Sequence, residues 1–351
     1  MNEPTANTTG MDLIVLMPVY EDRESAALLV RRLAEQLEGR CYVIVVEDGS
    51  VRDPVQIADI SRAGVAGEIL HLARNMGHQR AIATGLTHIA LTYAPSAVVV
   101  MDSDGEDRPE AVPSLLAELE SRTVDAVVAR RGRRSETLSF RAFYAFYRVL
   151  FQILTGRAIS FGNFTALSAK GVRRLAAMQE VWLHLASALM VSRLRLCYVR
   201  TDRGTRYFGR SQMNFVGLTL HGMRSLMVFA EDVLVRIGLF CSVVAASAVL
   251  LLGVPATSKL LGYATPGWFS TLSGILIVIL FQAGILTFVM LMVAGTMRGT
   301  APMSAGQLAL LIERIERSTP PGDAGRPQPA PPRPAEPVNV EAVPEGSRHS
   351  G

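Results

Sequence analysis

The sequence is short of lysine, of cysteine and, over one long stretch, of charge of either sign. Of its 35 basic residues only two are lysines, Lys170 and Lys259, and the rest are arginines. From Ile237 to Ala294 a single Asp, Glu, Lys or Arg occurs, Lys259. A charge gap of that length excludes a uniformly soluble chain and, with 49% hydrophobic residues, a fully disordered one. The three cysteines, Cys41, Cys197 and Cys241, are far apart, form no CxxC pair and stand at no histidine spacing suited to zinc. That excludes a disulfide-built secreted module and suits thiols kept reduced. The opening MNEPTANTTG has neither the basic nor the apolar region of a signal peptide, so the globular part is expected to stay in the cytosol. No GxxxxGKS/T loop is present and no GxGxxG follows the first apolar run, against ATP hydrolysis and dinucleotide redox chemistry. No nucleic-acid partner is expected.

What is present begins with the apolar block itself. Ile237–Val254 and Leu272–Ala294 are each long enough to cross a hydrocarbon core of roughly 30 Å as a helix. Between them, Pro255 to Thr271 reads as a short loop whose Tyr263 and Trp268 suit a membrane interface. Arg224, Arg236, Arg298 and Arg314 flank the spans on one side against Lys259 on the other, which predicts both chain ends on the cytoplasmic side. Phe140, Phe143, Tyr144, Tyr147, Phe151 and Leu154 recur at helical spacing with Arg141 and Arg148 interleaved. The pattern suits a helix in the headgroup layer over 139–155, with an aromatic core helix as the alternative. Phe215–Ala230, whose formal charge is Arg224 alone, reads as a second such helix leading into the first span. Beyond Thr319 lie nine of the 18 prolines and no aromatic residue, the composition of a disordered tail.

The first 130 residues alternate two periods. Leu13–Met17, Tyr42–Val46, Ile69–Leu72, Ala97–Met101 and Ala126–Ala129 are short, apolar and rich in β-branched residues. Helical periodicity fills most of the intervals, as in Ser25–Leu37 and Gly77–Thr92. Strands buried on both faces and spaced this way predict a parallel sheet of βαβ units. Ligands of such sheets sit beyond the carboxyl ends of the strands. There the sequence puts Pro18-Val19-Tyr20-Glu21-Asp22, Glu47-Asp48-Gly49-Ser50 and Asp102-Ser103-Asp104-Gly105-Glu106-Asp107. One such cluster alone is ordinary turn and capping chemistry. Three anionic clusters in one crevice call for a cation, and oxygen-only ligands suit Mg²⁺ or Mn²⁺. Magnesium is typically held by one or two carboxylates plus substrate phosphates, so the clusters predict a phosphate-bearing substrate.

At these residues the chain resembles glycosyltransferase family 2, and more narrowly its polyisoprenyl-phosphate glycosyltransferases, over about Leu13 to Met297. Pro18-Val19-Tyr20-Glu21-Asp22 is similar to the family's P-x-Y-N-E and Glu47-Asp48-Gly49-Ser50 to its D-D-G-S. Arg74-Asn75-Met76-Gly77-His78-Gln79, with Ala81 and Gly85, resembles R-N-x-G-H-Q-x-A-x-x-x-G. Asp102-Ser103-Asp104 with Asp107, Pro109 and Glu110 resembles D-A-D-x-Q-D-x-P-E. The resemblance implies an α/β fold of the GT-A type, Rossmann-like and nucleotide-sugar-binding, over 11–212, with two C-terminal transmembrane helices over 237–296. Segments 1–10 and 319–351 are then flexible, 213–236 is a juxtamembrane helix and 297–318 a cytosolic helix.

The resemblance also implies roles. Pro18, Tyr20, Asp22, Glu47, Asp48, Asn75, Gly77, Gln79, Asp102 and Ser103 would bind the donor. Asp102, Asp104 and Glu106 would hold Mg²⁺ or Mn²⁺. Arg203, Arg206 and Ser211 fit an R-x-x-R-x-x-G-x-S stretch that closes over phosphates, for which guanidinium groups suit. Arg130, Arg131, Arg133 and Arg134 are either acceptor-phosphate contacts or a basic face attracted to anionic lipid. Two positions depart from the pattern. The family's G-D-F, whose Asp is a proposed base, reads Gly162-Asn163-Phe164, and Gln212 follows Ser211 where relatives often carry Lys. Asn163 cannot take a proton, but a phosphate monoester with a second pKa near 6 is already largely ionised at neutral pH. Asn163 is therefore expected to orient acceptor or sugar.

The implied activity is inverting sugar transfer from a UDP- or GDP-linked donor to a polyprenyl phosphate at the inner membrane, with Asp104, Asn163, Arg203 and Arg206 at the reacting centre. The lipid bilayer is a further partner, and relatives of this kind can self-associate. Two other readings stay open: transfer to a hydroxyl acceptor, and a non-catalytic nucleotide-sugar-binding membrane protein.

Overall fold

The computed structural model describes residues 13–131, 138–158, 161–209, 215–263, 267–296 and 305–318. The expected flexible segments, 1–10 and 319–351, lie outside them. The chain begins with β1 (Leu13–Val19), α1 (Arg23–Gln36), β2 (Tyr42–Glu47), α2 (Ile57–Arg62), β3 (Ala66–Leu72), α3 (His78–Thr92) and β4 (Ala97–Val100). It continues through α4 (Val112–Ser121), β5 (Ala126–Arg131), α5 (Leu138–Thr155), β6 (Thr165–Ser168), α6 (Ala169–Ala176), α7 (Leu185–Val191) and β7 (Leu196–Thr201). Then come α8 (Phe215–Met227), α9 (Ala230–Leu260), α10 (Trp268–Thr296), α11 (Ala305–Leu311) and β8 (Ile312–Ser318).

The strand runs read as continuously apolar because both faces of the sheet are covered. Ile14, Leu16, Ile44, Val46, Val98 and Val100 face one core with α3, α6 and α7. Val15, Met17, Val43, Val45, Val99 and Met101 face the other with α1 and α4. Successive side chains of a strand point to opposite faces, so each strand supplies both cores. α1 buries Ala26, Leu29, Val30 and Leu33, the spacing of one helical face.

The sheet runs β7-β5-β6-β4-β1-β2-β3-β8. Its centre, β4-β1-β2-β3, is parallel as expected. The whole sheet is mixed, which differs from the all-parallel expectation. β6 enters antiparallel between β4 and β5, and β8 pairs antiparallel with the outer edge of β3. β8 also corrects the helix expected over 297–318, since only 305–311 is helical among the described residues of that stretch. The local IERIERS sequence has little strand character of its own. The unpaired edge of β3 supplies the ladder, and Arg317 gains the fully buried Glu68 at 3.1 Å.

α9 and α10 are long and apolar enough to cross a membrane, with mean hydropathies of 2.5 and 2.4 over an 18-residue stretch of each. They pack side by side, and Cys241 and Ala248 on α9 and Leu276 and Ala283 on α10 are buried. α9 continues through Pro255 to Leu260, past the point where a loop was expected. A proline is tolerated near the end of an apolar helix that a neighbour supports. After the hairpin the chain returns to the sheet, where β8 pairs with β3.

The described part of the aromatic stripe on α5 turns inward. Phe151 is fully buried, edge-on to Phe229 at 5.5 Å and beside Tyr147 at 5.8 Å, while Val149 and Ile153 on another face are exposed. Tyr147 and Phe151 thus dock α5 on α8 and the start of α9, while Val149 and Ile153 leave an apolar face of the helix exposed.

Candidate active site

The parallel strands β1, β2 and β4 end side by side, with Val19 level with Glu47 and Leu16 level with Val100. Their acidic extensions therefore meet at one edge, but they do different things there. Glu47 and Asp48 are each 2% exposed and spend their oxygens on backbone donors. Glu47 accepts from Val55 N at 2.7 Å and from the hydroxyl and N–H of Ser50. Asp48 accepts from Met76 N at 2.7 Å and Gly77 N at 2.9 Å. Burial raises both carboxyl pKa values, against these bonds. Gly49 has φ +72°, and a Cβ there would stand 2.5 Å from Asn75 N, so glycine is required where the two loops cross. Pro18 is buried, while Tyr20 and Asn75 are exposed at the rim.

The 102–107 loop forms the floor. Asp102 N donates to Asp107 Oδ2 at 3.0 Å, and Glu106 N donates to Asp104 Oδ1 at 2.9 Å. Ser103 is buried. The 202–207 segment after β7 folds over this floor: Gly204 N donates to Glu106 O and Tyr207 N to Asp104 O, both at 2.9 Å. The ring of Tyr207 covers Gly105, whose φ of +86° and absent Cβ admit it. Arg203 is ion-paired with Glu106. Arg206 stands 3.4 Å from Asp104 Oδ2 and 3.7 Å from Asp22 Oδ2, joining the ends of β1 and β4.

The third side is a chain of amides. Leu185 N donates to Gln79 Oε1 at 2.7 Å, which orients the Gln79 amide, and Gln79 Nε2 then donates to Asn163 Oδ1 at 3.2 Å. Asn163 Nδ2 is 2.9 Å from His78 Nε2, which also lies 3.2 Å from Asp102 Oδ1. Burial lowers the His78 pKa, but Asp102 outweighs it, so the imidazole titrates above its ordinary value. Asn163 thus sits 8% exposed where the family pattern carries a proposed base, its amide oxygen held by Gln79.

Of the expected acceptor-phosphate group, Arg130 is exposed at the end of β5, level with Arg200, and the backbone of Arg131 is level with Thr201. Arg133 and Ser211 lie outside the described residues. Sequence reasoning missed four residues. Asp107 and Tyr207 shape the floor; Asp107 was legible as a motif letter without a role, and Tyr207 as a neighbour of Arg206 only. Glu21, at φ +49°, accepts from Val51, Arg52 and Asp53 N–H groups and so fixes the loop after β2, which holds its carboxyl below the usual range. His78 was legible as a motif letter but not as the partner of Asp102.

Among the described residues, no three carboxylate, imidazole or thiolate groups converge to hold a metal by themselves. Asp102 and Asp104 are an oxygen-only pair at the site's centre, and that suits a hard cation whose remaining ligands are waters and phosphates. Glu106 fits less well, since its carboxylate is engaged by Arg203.

Residues 14–180 match the family model described as glycosyl transferase family 2. The chain carries a family 2 glycosyltransferase domain. Among curated proteins it is similar to dodecaprenyl-phosphate galacturonate synthase of Rhizobium johnstonii, 30% identical over 145 residues, 40% of this chain and 41% of that protein. It is also similar to the undecaprenyl-phosphate 4-deoxy-4-formamido-L-arabinose transferase of Sodalis glossinidius, 29% identical over 150 residues, 41% of this chain and 44% of that one. The chain thus spans about two fifths of the length of these two relatives. An uncharacterized glycosyltransferase of Synechocystis matches at 25% over 286 residues, 78% of this chain and 86% of its own. Among solved structures, glucosyl-3-phosphoglycerate synthase from Mycobacterium tuberculosis, with Mn²⁺, uridine-diphosphate and phosphoglyceric acid, aligns at TM-score 0.43 and 16% identity, over 65% of this chain and 78% of that one. At that level of likeness nothing about substrate or site follows from it.

Proposed function

We propose that the chain transfers a sugar, with inversion, from a UDP- or GDP-linked donor to a polyprenyl phosphate at the cytoplasmic face of the inner membrane. The observation that carries this is the floor built of Asp102 and Asp104 beneath Arg203 and Arg206, in a domain joined to two apolar helices. The names of the two relatives support the acceptor class. The arginine pattern around the hairpin and the return of β8 support both ends being cytosolic.

In this reading Tyr20, Asp22 and Asn75 line the donor at the rim, while Glu47 and Asp48 stiffen the loops that carry them. Asp102 and Asp104 would hold Mg²⁺ or Mn²⁺ against the diphosphate. The ion, when bound, offsets charge on the departing nucleoside diphosphate. Arg206 exchanges its carboxylate partners for donor phosphate, and Arg203 stays beside it. An acceptor phosphate oxygen forms the new bond to the anomeric carbon as the bond from that carbon to the diphosphate breaks, and its electron pair leaves with the nucleoside diphosphate. The nucleophile is already an anion, so no base is needed. Asn163, anchored by Gln79, positions by hydrogen bonding. Anchoring in the membrane lowers the entropic cost of meeting a lipid substrate.

The test offers membranes containing the full chain a panel of labelled UDP- and GDP-sugars with polyprenyl phosphate, and looks for an acid-labile glycolipid. The product is expected with wild type and lost in Asp104→Ala at equal protein level. Undiminished product from the variant overturns the role of Asp104, and no product with any donor overturns the activity.

A further inference from the structure

A second polar cluster lies where α7, α8 and the start of α3 meet, and the reaction as described uses none of it. His184 is buried, and its Nδ1 is 3.1 Å from Ser187 N. A backbone N–H can only donate, so Nδ1 accepts and the proton of the neutral ring sits on Nε2. His184 Nε2 is 3.1 Å from His221 Nε2, which must then accept, leaving the proton of His221 on Nδ1. Burial pushes the His184 pKa down to about 3, and burial together with His78 lowers that of His221, so both rings are neutral near pH 7.

α8 is held firmly while it presents this group. Ser187 Oγ is 2.8 Å from Ser225 Oγ, one turn on from His221, and Tyr147 Oη donates to Gly222 O at 3.1 Å from the α5 side. Arg224, three residues after His221 and so its neighbour on the helix surface, has Nη1 3.8 Å from where a Cβ on Gly77 would stand. Gly77 precedes His78, the partner of Asp102. Arg224 is exposed and forms no ion pair among the described residues. Only residues 228 and 229 separate α8 from the apolar α9. An arginine and a fixed N–H donor therefore stand together between the catalytic floor and the hairpin.

The geometry points to Arg224 and His221 as the contacts for the acceptor's phosphate monoester: the guanidinium supplies charge and a two-pronged donor, and His221 Nδ1–H a third hydrogen bond. This rests on the reading that the acceptor is a polyprenyl phosphate. It adds residues from α8 to the arginines near the end of β5 that the sequence suggested.

The test uses the full chain in detergent and measures binding of farnesyl phosphate, farnesol and inorganic phosphate, with nucleoside diphosphate plus Mn²⁺ as a control for the donor side. Wild type is expected to prefer farnesyl phosphate over farnesol by tenfold or more. Arg224→Ala is expected to remove that preference with nucleotide binding unchanged within twofold, and Arg224→Lys to restore part of it. His221→Asn, whose amide nitrogen falls near the Nδ1 position, is expected to keep more of it than His221→Leu. An Arg224→Ala protein that retains the preference, or loses nucleotide binding equally, overturns the assignment. Inorganic phosphate binding as tightly with the same dependence on Arg224 overturns the lipid source. A wild type blind to the phosphate, and forming no lipid product, overturns the acceptor reading itself.

Discussion

Arg206 stands 3.4 Å from the carboxylate of Asp104 and, on the same guanidinium, 3.7 Å from that of Asp22. The side chain does electrostatically what a cation and a donor phosphate would do in turn: it offsets the anions of the floor, and it is poised to pair with phosphate. It must therefore compete with the one and assist the other.

Arg206→Ala is expected to shift the two affinities in opposite directions. Without nucleotide, Mn²⁺ binds about twofold to fivefold more tightly, in line with a partly exposed ion pair worth up to about 1 kcal/mol. Nucleotide-diphosphate sugar binds more weakly, by tenfold or more, as a charge-assisted contact is lost. Calorimetric titration of the detergent-solubilised protein reads both. A fall in both affinities would assign Arg206 to holding the loop rather than to the charge exchange.

Asn163 stands where the family pattern carries an aspartate. Its Oδ1 accepts from Gln79 Nε2, and an aspartate could accept there equally. General-base catalysis is worth about 10²–10⁴-fold where a proton must move. Asn163→Asp is expected to change turnover with polyprenyl phosphate by less than about tenfold, because the ionised phosphate needs no base. A gain of a hundredfold in the initial-rate assay would show that a proton acceptor is missing.

How far the sequence carried these features depends on the range of the interaction. The central strands and α1 and α3 were legible because burial on both sheet faces and on one helix face leaves a local periodic trace. The strand-end carboxylates were legible as types, since an acidic residue at such an edge is chemically conspicuous. The division of labour among them was not. Nothing in the adjacency of Glu47, Asp48 and Asp102 says that the first two are consumed by Ser50, Val55 and the Met76–Gly77 backbone. β8 was illegible because its partner lies some 250 residues away, as the Arg317–Glu68 separation of 249 shows. The His184–His221 pair likewise has no local signal.

Asp125 anchors the far end of β5 and carries a pH dependence. It is 3% exposed, accepts from Arg195 N at 2.9 Å, and pairs with Arg195 and Lys170 at 3.3 and 3.1 Å. Hydrogen bonding to the Arg195 side chain, more than any other cause, holds its carboxyl well below the ordinary range. A carboxyl whose folded pKa is depressed stabilises fully above its unfolded value, near 4, and the contribution is lost as pH falls below that towards the folded value. Asp125→Ala is expected to cost about 1–3 kcal/mol at pH 7. Its thermal midpoint should converge on that of wild type as pH drops from about 4 towards 3. A gap that stays constant over that interval would leave packing rather than charge as the cause.

The pairing of β8 with β3 makes a comparable prediction for the segment after the apolar hairpin. Glu68 is fully buried in β3, with one oxygen 2.8 Å from His88 Nε2 and the other 3.1 Å from Arg317 Nε. Burial raises its pKa, but His88, Tyr93 and Arg317 more than reverse that, so the group is held as an anion. Arg317 is half-exposed, which tempers its worth, yet without it a fully buried carboxylate loses its guanidinium partner. Such a loss costs about 1–3 kcal/mol. Arg317→Ala is expected to lower the thermal midpoint and to raise hydrogen exchange at Gly67–Leu72, the stretch that β8 covers. Arg317→Met keeps the aliphatic stem without the charge, and should destabilise as much if the ion pair is responsible. If Arg317→Met melts with wild type while Arg317→Ala does not, the stem's packing holds β8 in place and Glu68 is satisfied without the guanidinium.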